Sequence, residues 1–141
     1  MNNKIHQRGQ YQAAELLADT GTIYPGMLLE ATTTGVKAQS TSVGFFERMF
    51  ALEDALQGNT VATVYTVSTP VQIAIEVSGN IVLALCKAGY AYTVGEQVFP
   101  YGDGTLRPTT GTPKQLVGTV LVATDLSASG AVDTLVPIRL V

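Results

Sequence analysis

Histidine, cysteine, tryptophan and charge are all scarce in this sequence, and each scarcity removes a class of function. The only histidine, His6, and the only cysteine, Cys86, stand 80 residues apart. A hydrolytic triad needs a histidine held rigidly between a nucleophile and an orienting acid. A zinc site needs three or four converging ligands. Neither can be built from this pair, so no catalysis, metal or cofactor is expected. A single cysteine allows no intrachain disulfide, and within the apolar run Ile81–Cys86 it reads as a small buried hydrophobe. The absence of tryptophan removes the commonest sugar-stacking platform, leaving only the neighbours Tyr90, Tyr92, Phe99 and Tyr101 to consider. Charged residues make up 13% of the chain, against roughly 25% in ordinary globular domains. So sparse a charge implies a surface that does not face water alone, and predicts oligomerisation or docking on a larger body.

The charge that is present argues against nucleic acid. The net charge is −3, and the eight basic residues are scattered singly from Lys4 to Arg139, whereas phosphate binding needs them clustered on one face. The longest apolar run, Ile81–Cys86, cannot span a bilayer. The polar N-terminus MNNKIHQRGQYQ has no apolar segment behind it, so no secretory signal is read and a soluble protein made in a cytoplasm is expected.

What remains is a β pattern. Val71, Ile73, Ile75 and Val77 alternate with Gln72, Ala74, Glu76 and Ser78, the period of a half-buried strand. With the Ser78-Gly79-Asn80 turn and the run Ile81–Cys86, they predict a hairpin whose second strand is covered on both faces. Val117–Thr124 predicts another strand, Leu126–Asp133 a polar hairpin loop, and Leu135–Val141 a last strand. Pro137 cannot donate to a ladder, which places that strand at an edge or beside a bulge. Glycines from Gly79 to Gly130 punctuate the chain at the spacing of a small barrel or sandwich. Asp103, between Gly102 and Gly104, reads as a tight turn rather than a calcium loop, because the alternating carboxylates and terminal Glu are missing. The Gly95-Glu96-Gln97-Val98 turn is similar to those of biotinyl or lipoyl carrier domains, which need their modified lysine at a hairpin tip. The nearest candidate, Lys87, ends an apolar strand and lacks the apolar neighbours on both sides that the family shows.

Met1–Thr22 is the least β-like stretch. Asn, Gln and single charges dominate its first dozen residues, and Ala13–Leu17 could form two turns of helix that would be marginal without packing. It is read as an extended arm that orders on a neighbour, with a reach of about 65 Å for 20 residues. A second ambiguity lies at Glu47–Ala55, where propensity favours helix and Phe45, Met49, Leu52 and Leu56 form a helical stripe.

Two blocks settle that ambiguity toward strand. Arg48, Phe50, Ala51, Leu52, Glu53 and Asp54, followed by Leu56-Gln57-Gly58, and the earlier run Tyr24-Pro25-Gly26-Met27-Leu28-Leu29-Glu30 resemble the core blocks of the head decoration (capsid cement) proteins of tailed bacteriophages. The stretches Val94–Val98 and Gly102–Leu106 fall where that family carries similar turns. The resemblance runs from about Tyr24 to the C-terminus, and departs from the family in the Leu106–Leu116 loop and at Pro137. It implies an all-β fold: a small β-barrel or tulip-like body of short antiparallel strands over 23–141, with the extended arm 1–22. It also implies a virion protein on the outer capsid surface, a homotrimer bound to the major capsid protein, with no nucleic acid, membrane or cofactor. Partner contacts are then expected from Ile5, His6, Arg8 and Tyr11 in the arm and from Arg48 across a subunit boundary, with Glu53 tied to amides near Gln57-Gly58-Asn59. The alternative is a non-catalytic module that binds sugar or a host surface in another assembly.

Overall fold

The computed structural model describes residues 4–20, 22–40, 47–108 and 115–141. With 43% strand and 2% helix the chain is all-β, as its alternation and glycine punctuation imply. The strands are β1 (His6–Arg8), β2 (Gln12–Leu17), β3 (Leu29–Ala31), β4 (Val36–Ala38), β5 (Met49–Ala51), β6 (Pro70–Ile75), β7 (Ile81–Cys86), β8 (Ala91–Tyr92), β9 (Gln97–Pro100), β10 (Leu106–Arg107), β11 (Gly118–Val120), β12 (Thr124–Asp125) and β13 (Thr134–Leu140). One 3-10 turn, Ala55–Gln57, follows β5.

Five strands close a barrel in the order β7-β10-β9-β11-β13 and back to β7. Its pairings are antiparallel except at one seam, where Leu106 of β10 lies parallel to Cys86 of β7. Closure leaves no free ladder within the barrel. Inside it Val82, Ala84, Cys86, Val98, Val120, Val136, Ile138 and Leu140 are buried, the inward set of alternating strands. Burial pushes the Cys86 thiol far up from its ordinary value, as the sequence reading of a buried hydrophobe requires.

A second layer packs beside the barrel. The sheet β2-β6-β5 and the hairpin β3–β4 enclose Ile23, Met27, Leu29, Val36, Tyr65, Val71 and Ile73. Strand β5 joins the two cores. Phe50 belongs to the barrel core, while Met49 and Ala51, on the opposite face of the strand, belong to the second. This is why good helix formers adopt a strand here: a helix would offer one buried stripe, and this segment buries both sides.

Several expectations change. The described part of the segment 1–22 is no free arm, because β1 pairs with β7 and β2 pairs with β6 over all six of its residues, so Ala13–Leu17 is strand rather than helix. β6 and β7 do not form a hairpin. β6 lies between β2 and β5, and β7 lies in the barrel, with the chain turning out of one sheet and into the other at Val77–Asn80. Burial changes with it, so that Glu76 is buried and Val77 is exposed, reversing the alternation at the end of β6. The Val117–Thr124 stretch divides into β11 and β12, and β12 pairs with β8, so Leu126–Asp133 does not close a hairpin. β13 is not an edge strand. Pro137 sits opposite Leu83, whose own N–H points away to the Ile5 carbonyl, so the missing proline donor is not required by β7. The Pro137 carbonyl still accepts from Leu121 N–H just beyond β11. Of the Leu106–Leu116 loop, Leu106–Arg107 is strand and residues 109–114 lie outside the described residues, as does Phe45 of the helical stripe.

The barrel also depends on close approach at one glycine. A Cβ at Gly118 would stand 2.3 Å from the Arg139 carbonyl oxygen and 2.6 Å from Ile138 Cγ2. Gly118→Ala is expected to destabilise the fold by about 2–3 kcal/mol. Gly130, at φ +84° with open space around it, should cost only about 1 kcal/mol on the same change. Urea denaturation of both variants checks the contrast.

Candidate functional site

The N-terminal segment is held to the body by a chain of polar contacts. Gly9, at φ +103°, turns the chain after β1, and its Cα lies so close to Asn80 that a Cβ would meet Asn80 Oδ1 at 1.9 Å. The turn brings the Gly9 carbonyl to 2.7 Å from His6 Nε2. The other ring nitrogen, Nδ1, lies 2.7 Å from Glu76 Oε1, and the Glu76 side chain is 0% exposed. Asn80 Nδ2 donates to Glu76 Oε2 at 2.5 Å and to the Gln10 carbonyl at 2.7 Å. The Tyr11 ring leans on His6 with centroids 4.4 Å apart.

This segment forms one wall of a groove of about 710 Å³. Lys4, His6, Gln7, Arg8, Gly9 and Tyr11 line that side, and Leu52, Glu53, Asp54, Ala55, Leu56 and Gln72 line the other. A second groove, of about 520 Å³, begins on the far side of Leu56 and runs past Glu15, Gln57, Asn59 and Thr66. Leu56 stands between the two at the tip of the 3-10 turn and is 93% exposed. Its backbone is fixed by Gln57 N–H and Asn59 N–H, both donating to the Asp54 carbonyl, and by Gly58 at φ +74°. The turn thus holds the Leu56 side chain almost bare in solvent between the two grooves.

The structure brings three of the five expected partner residues to the first groove: His6, Arg8 and Tyr11. The other two are elsewhere. Ile5 is 0% exposed and belongs to the folded body, not to a surface. Arg48 lies outside the groove, half-buried, and its guanidinium donates to the Val141 carbonyl of its own chain. Glu53 is likewise reassigned, since its Oε2 accepts the Ile5 N–H at 2.9 Å rather than the amides at 57–59. Sequence reasoning missed Leu56 as a surface residue because its spacing from Met49 and Leu52 suited a buried stripe. The preceding Asp and following Gln-Gly were the available signal for an exposed turn.

Away from the groove, Lys87 is tied down: its Nζ donates to Asp103 Oδ2 at 2.8 Å, stands 3.9 Å from Asp133 Oδ2, and lies over the Tyr101 ring. Arg107 also lies over that ring. Of the four neighbouring aromatics, Tyr92 is buried with its hydroxyl bonded to the Lys87 and Leu106 carbonyls, and Tyr101 is flanked by cations, so they do not make an open platform. Asp103 also accepts from the Thr105 N–H and hydroxyl, the tight turn expected of it. Burial pushes the Asp103 carboxyl up, but the Lys87 ammonium and the Thr105 donors outweigh it and hold it below the usual carboxylate range. The Asp103 hydrogen bond raises Lys87 in return. Among the described residues no three His, Cys, Asp or Glu side chains group to hold a metal, and no helix is long and apolar enough to cross a membrane. Compared with known proteins, the chain matches no family model and no curated protein.

Three outcomes follow from this geometry. Deleting residues 1–18 removes buried Ile5 and uncovers β6, so the truncated chain should lose more than about 3 kcal/mol in stability or lose its cooperative transition altogether, read by circular dichroism on heating. Glu53→Gln weakens a charge-assisted bond to Ile5 N–H and should cost about 1–2 kcal/mol by the same measurement. The depressed Asp103 carboxyl contributes stability above its unfolded value, and this is lost as pH falls below about 4. Asp103→Asn should flatten that part of the acid denaturation curve, compared with wild type by the pH dependence of the melting temperature.

Proposed function

We propose that this chain is a structural protein that binds the outer surface of an assembled phage head as a trimer and reinforces it. The supporting observation is how the two resembling blocks meet. Gly26 N–H donates to the Ala51 carbonyl, Ala51 N–H donates to the Met27 carbonyl, and Leu28 bridges to Phe50. Two stretches chosen on sequence alone, more than twenty residues apart, are one hydrogen-bonded unit at the junction of the two cores. From that unit the Leu-Gln-Gly turn projects Leu56 beside the groove that holds His6, Arg8 and Tyr11.

In this reading the capsid protein fills the groove and receives Leu56, and reinforcement follows from linkage. A ligand that binds the assembled shell and not its free subunits stabilises the shell by mass action, and three copies joined in a trimer add avidity without any stronger single contact. The reading is non-catalytic, and is supported by the sparse charge of the chain and by exposed apolar residues such as Val94, Val122 and Val132 that suit contact with other subunits.

The test is cosedimentation with expanded heads assembled from the partner capsid protein, with and without Leu56→Asp. The leucine is almost wholly exposed, so the change should leave the stability within about 0.5 kcal/mol of wild type. It should weaken head binding more than about tenfold, the loss of one central apolar contact. Wild-type chain that stays in the supernatant at micromolar concentration, or a variant that binds as tightly as wild type, would overturn the reading.

A further inference from the structure

His6 presents both ring nitrogens to oxygen acceptors. Nε2 faces the Gly9 carbonyl, which can only accept, and Nδ1 faces a Glu76 carboxylate oxygen, each at 2.7 Å. A neutral imidazole has one N–H, so with an ionised Glu76 one nitrogen lone pair would point at an oxygen lone pair. The second carboxylate oxygen offers no relief, because it already accepts from Asn80. The contacts are satisfied only with one additional proton, either as imidazolium beside carboxylate or as imidazole accepting from a carboxylic acid. We infer that His6 and Glu76 hold one proton between them and that this proton latches the N-terminal strand to the body.

The surroundings leave the pair to itself. On its own segment the charged neighbours are Lys4 and Arg8, both exposed, and the Tyr11 ring. From either side of β5, Glu53 accepts the Ile5 N–H. Arg48, whose carbonyl accepts the Glu76 N–H, donates one guanidinium N–H to the Val141 carbonyl, while its buried Nε has no partner among the described residues. The β7 residues opposite β1, Ile81 and Val82, are apolar, and the β13 residue beyond them, Arg139, is exposed. When the segment detaches, His6 and Glu76 enter water, where at neutral pH the histidine is largely unprotonated and the carboxylate ionised. Detachment therefore releases a proton to solvent, and rising pH drives it. The attached state binds more protons than the detached one, so its stability is greatest on the acid side of neutrality and falls as pH rises, the opening constant growing by up to about tenfold per pH unit. Because the segment is one wall of the groove, loss of the proton loosens that wall, whatever the groove binds.

The Leu83 amide is the reporter. It donates to the Ile5 carbonyl across β1 and β7 and is uncovered when the segment leaves. Between about pH 6 and about pH 9, its exchange protection, corrected for intrinsic rate, should fall by about tenfold or more in the wild type. Because His6 is the only histidine, ring ¹⁵N spectra, with the ¹³C signal of the Glu76 carboxyl, read which partner carries the proton at pH 7. In Glu76→Gln, the amide N–H can donate to a neutral Nδ1 while its oxygen still accepts from Asn80. The latch should then stay closed and its protection become independent of pH. Flat protection in the wild type, a ring and carboxyl both deprotonated at pH 7, or an unchanged pH dependence in Glu76→Gln would each overturn the inference. Should that variant fail to fold, the wild-type slope and spectra decide alone.

Discussion

The burial of strand β5 on both faces is the constraint on which the rest of the structure depends. Three residues divide between two cores, Phe50 to the barrel and Met49 and Ala51 to the second layer. The strand is held from both sides, by β6 along one edge and by Gly26–Leu28 along the other. A segment in that position can carry no exposed face, so everything polar about it is displaced to its ends. Arg48 at one end turns to the C-terminal carbonyl, and Glu53 at the other turns to the Ile5 amide. Leu52 N–H still donates to the Gln72 carbonyl, and the 3-10 turn beyond Asp54 carries Leu56 into solvent.

A chain with so little charge uses it where the backbone needs fixing. Buried ionisable groups are tolerated only with partners, and here each marks a junction between elements distant in sequence. Glu76 joins the N-terminal segment to the β6–β7 turn through His6 and Asn80. Lys87 joins the end of β7 to the turn before β10 and to the approach of β13 through Asp103 and Asp133. Tyr65, its phenol pushed up to about 12 by burial, ties the chain before β6 to the Leu52 carbonyl. Of the remaining charges, Lys4, Arg8, Glu15, Asp19, Asp125 and Arg139 stand exposed.

The candidate site was partly legible. His6, Arg8 and Tyr11 were selected from a stretch with no periodicity, and they do line one groove, but the reason was different from the one anticipated. The stretch looked unstructured because its pairing partners, β7 and β6, lie some seventy and sixty residues away, and local pattern carries no record of a distant ladder. Ile5 was taken for a contact residue on the same grounds and is core. Arg48 was expected across a subunit boundary from the resemblance alone; within the chain its guanidinium donates to a backbone carbonyl 93 residues on.

What the sequence by itself determined is local: where the chain extends, where glycine lets it turn, which residues are too apolar to stay in water. That was enough for an all-β fold of short strands, for Cys86 as an inert core residue and for Asp103 as a tight turn, because backbone conformation and burial follow from neighbours a few positions away. Only the tertiary structure decided which strands meet. The Val71–Ser78 and Ile81–Cys86 runs satisfy every local rule for a hairpin, yet closing the barrel requires β7 to pair with β13 and β10, and β1 also lies on it, so β6 turns aside to β2 and β5. That one long-range choice buried Glu76, exposed Val77 and gave His6 its partner. A period of two specifies a face to bury and leaves open which strand lies alongside.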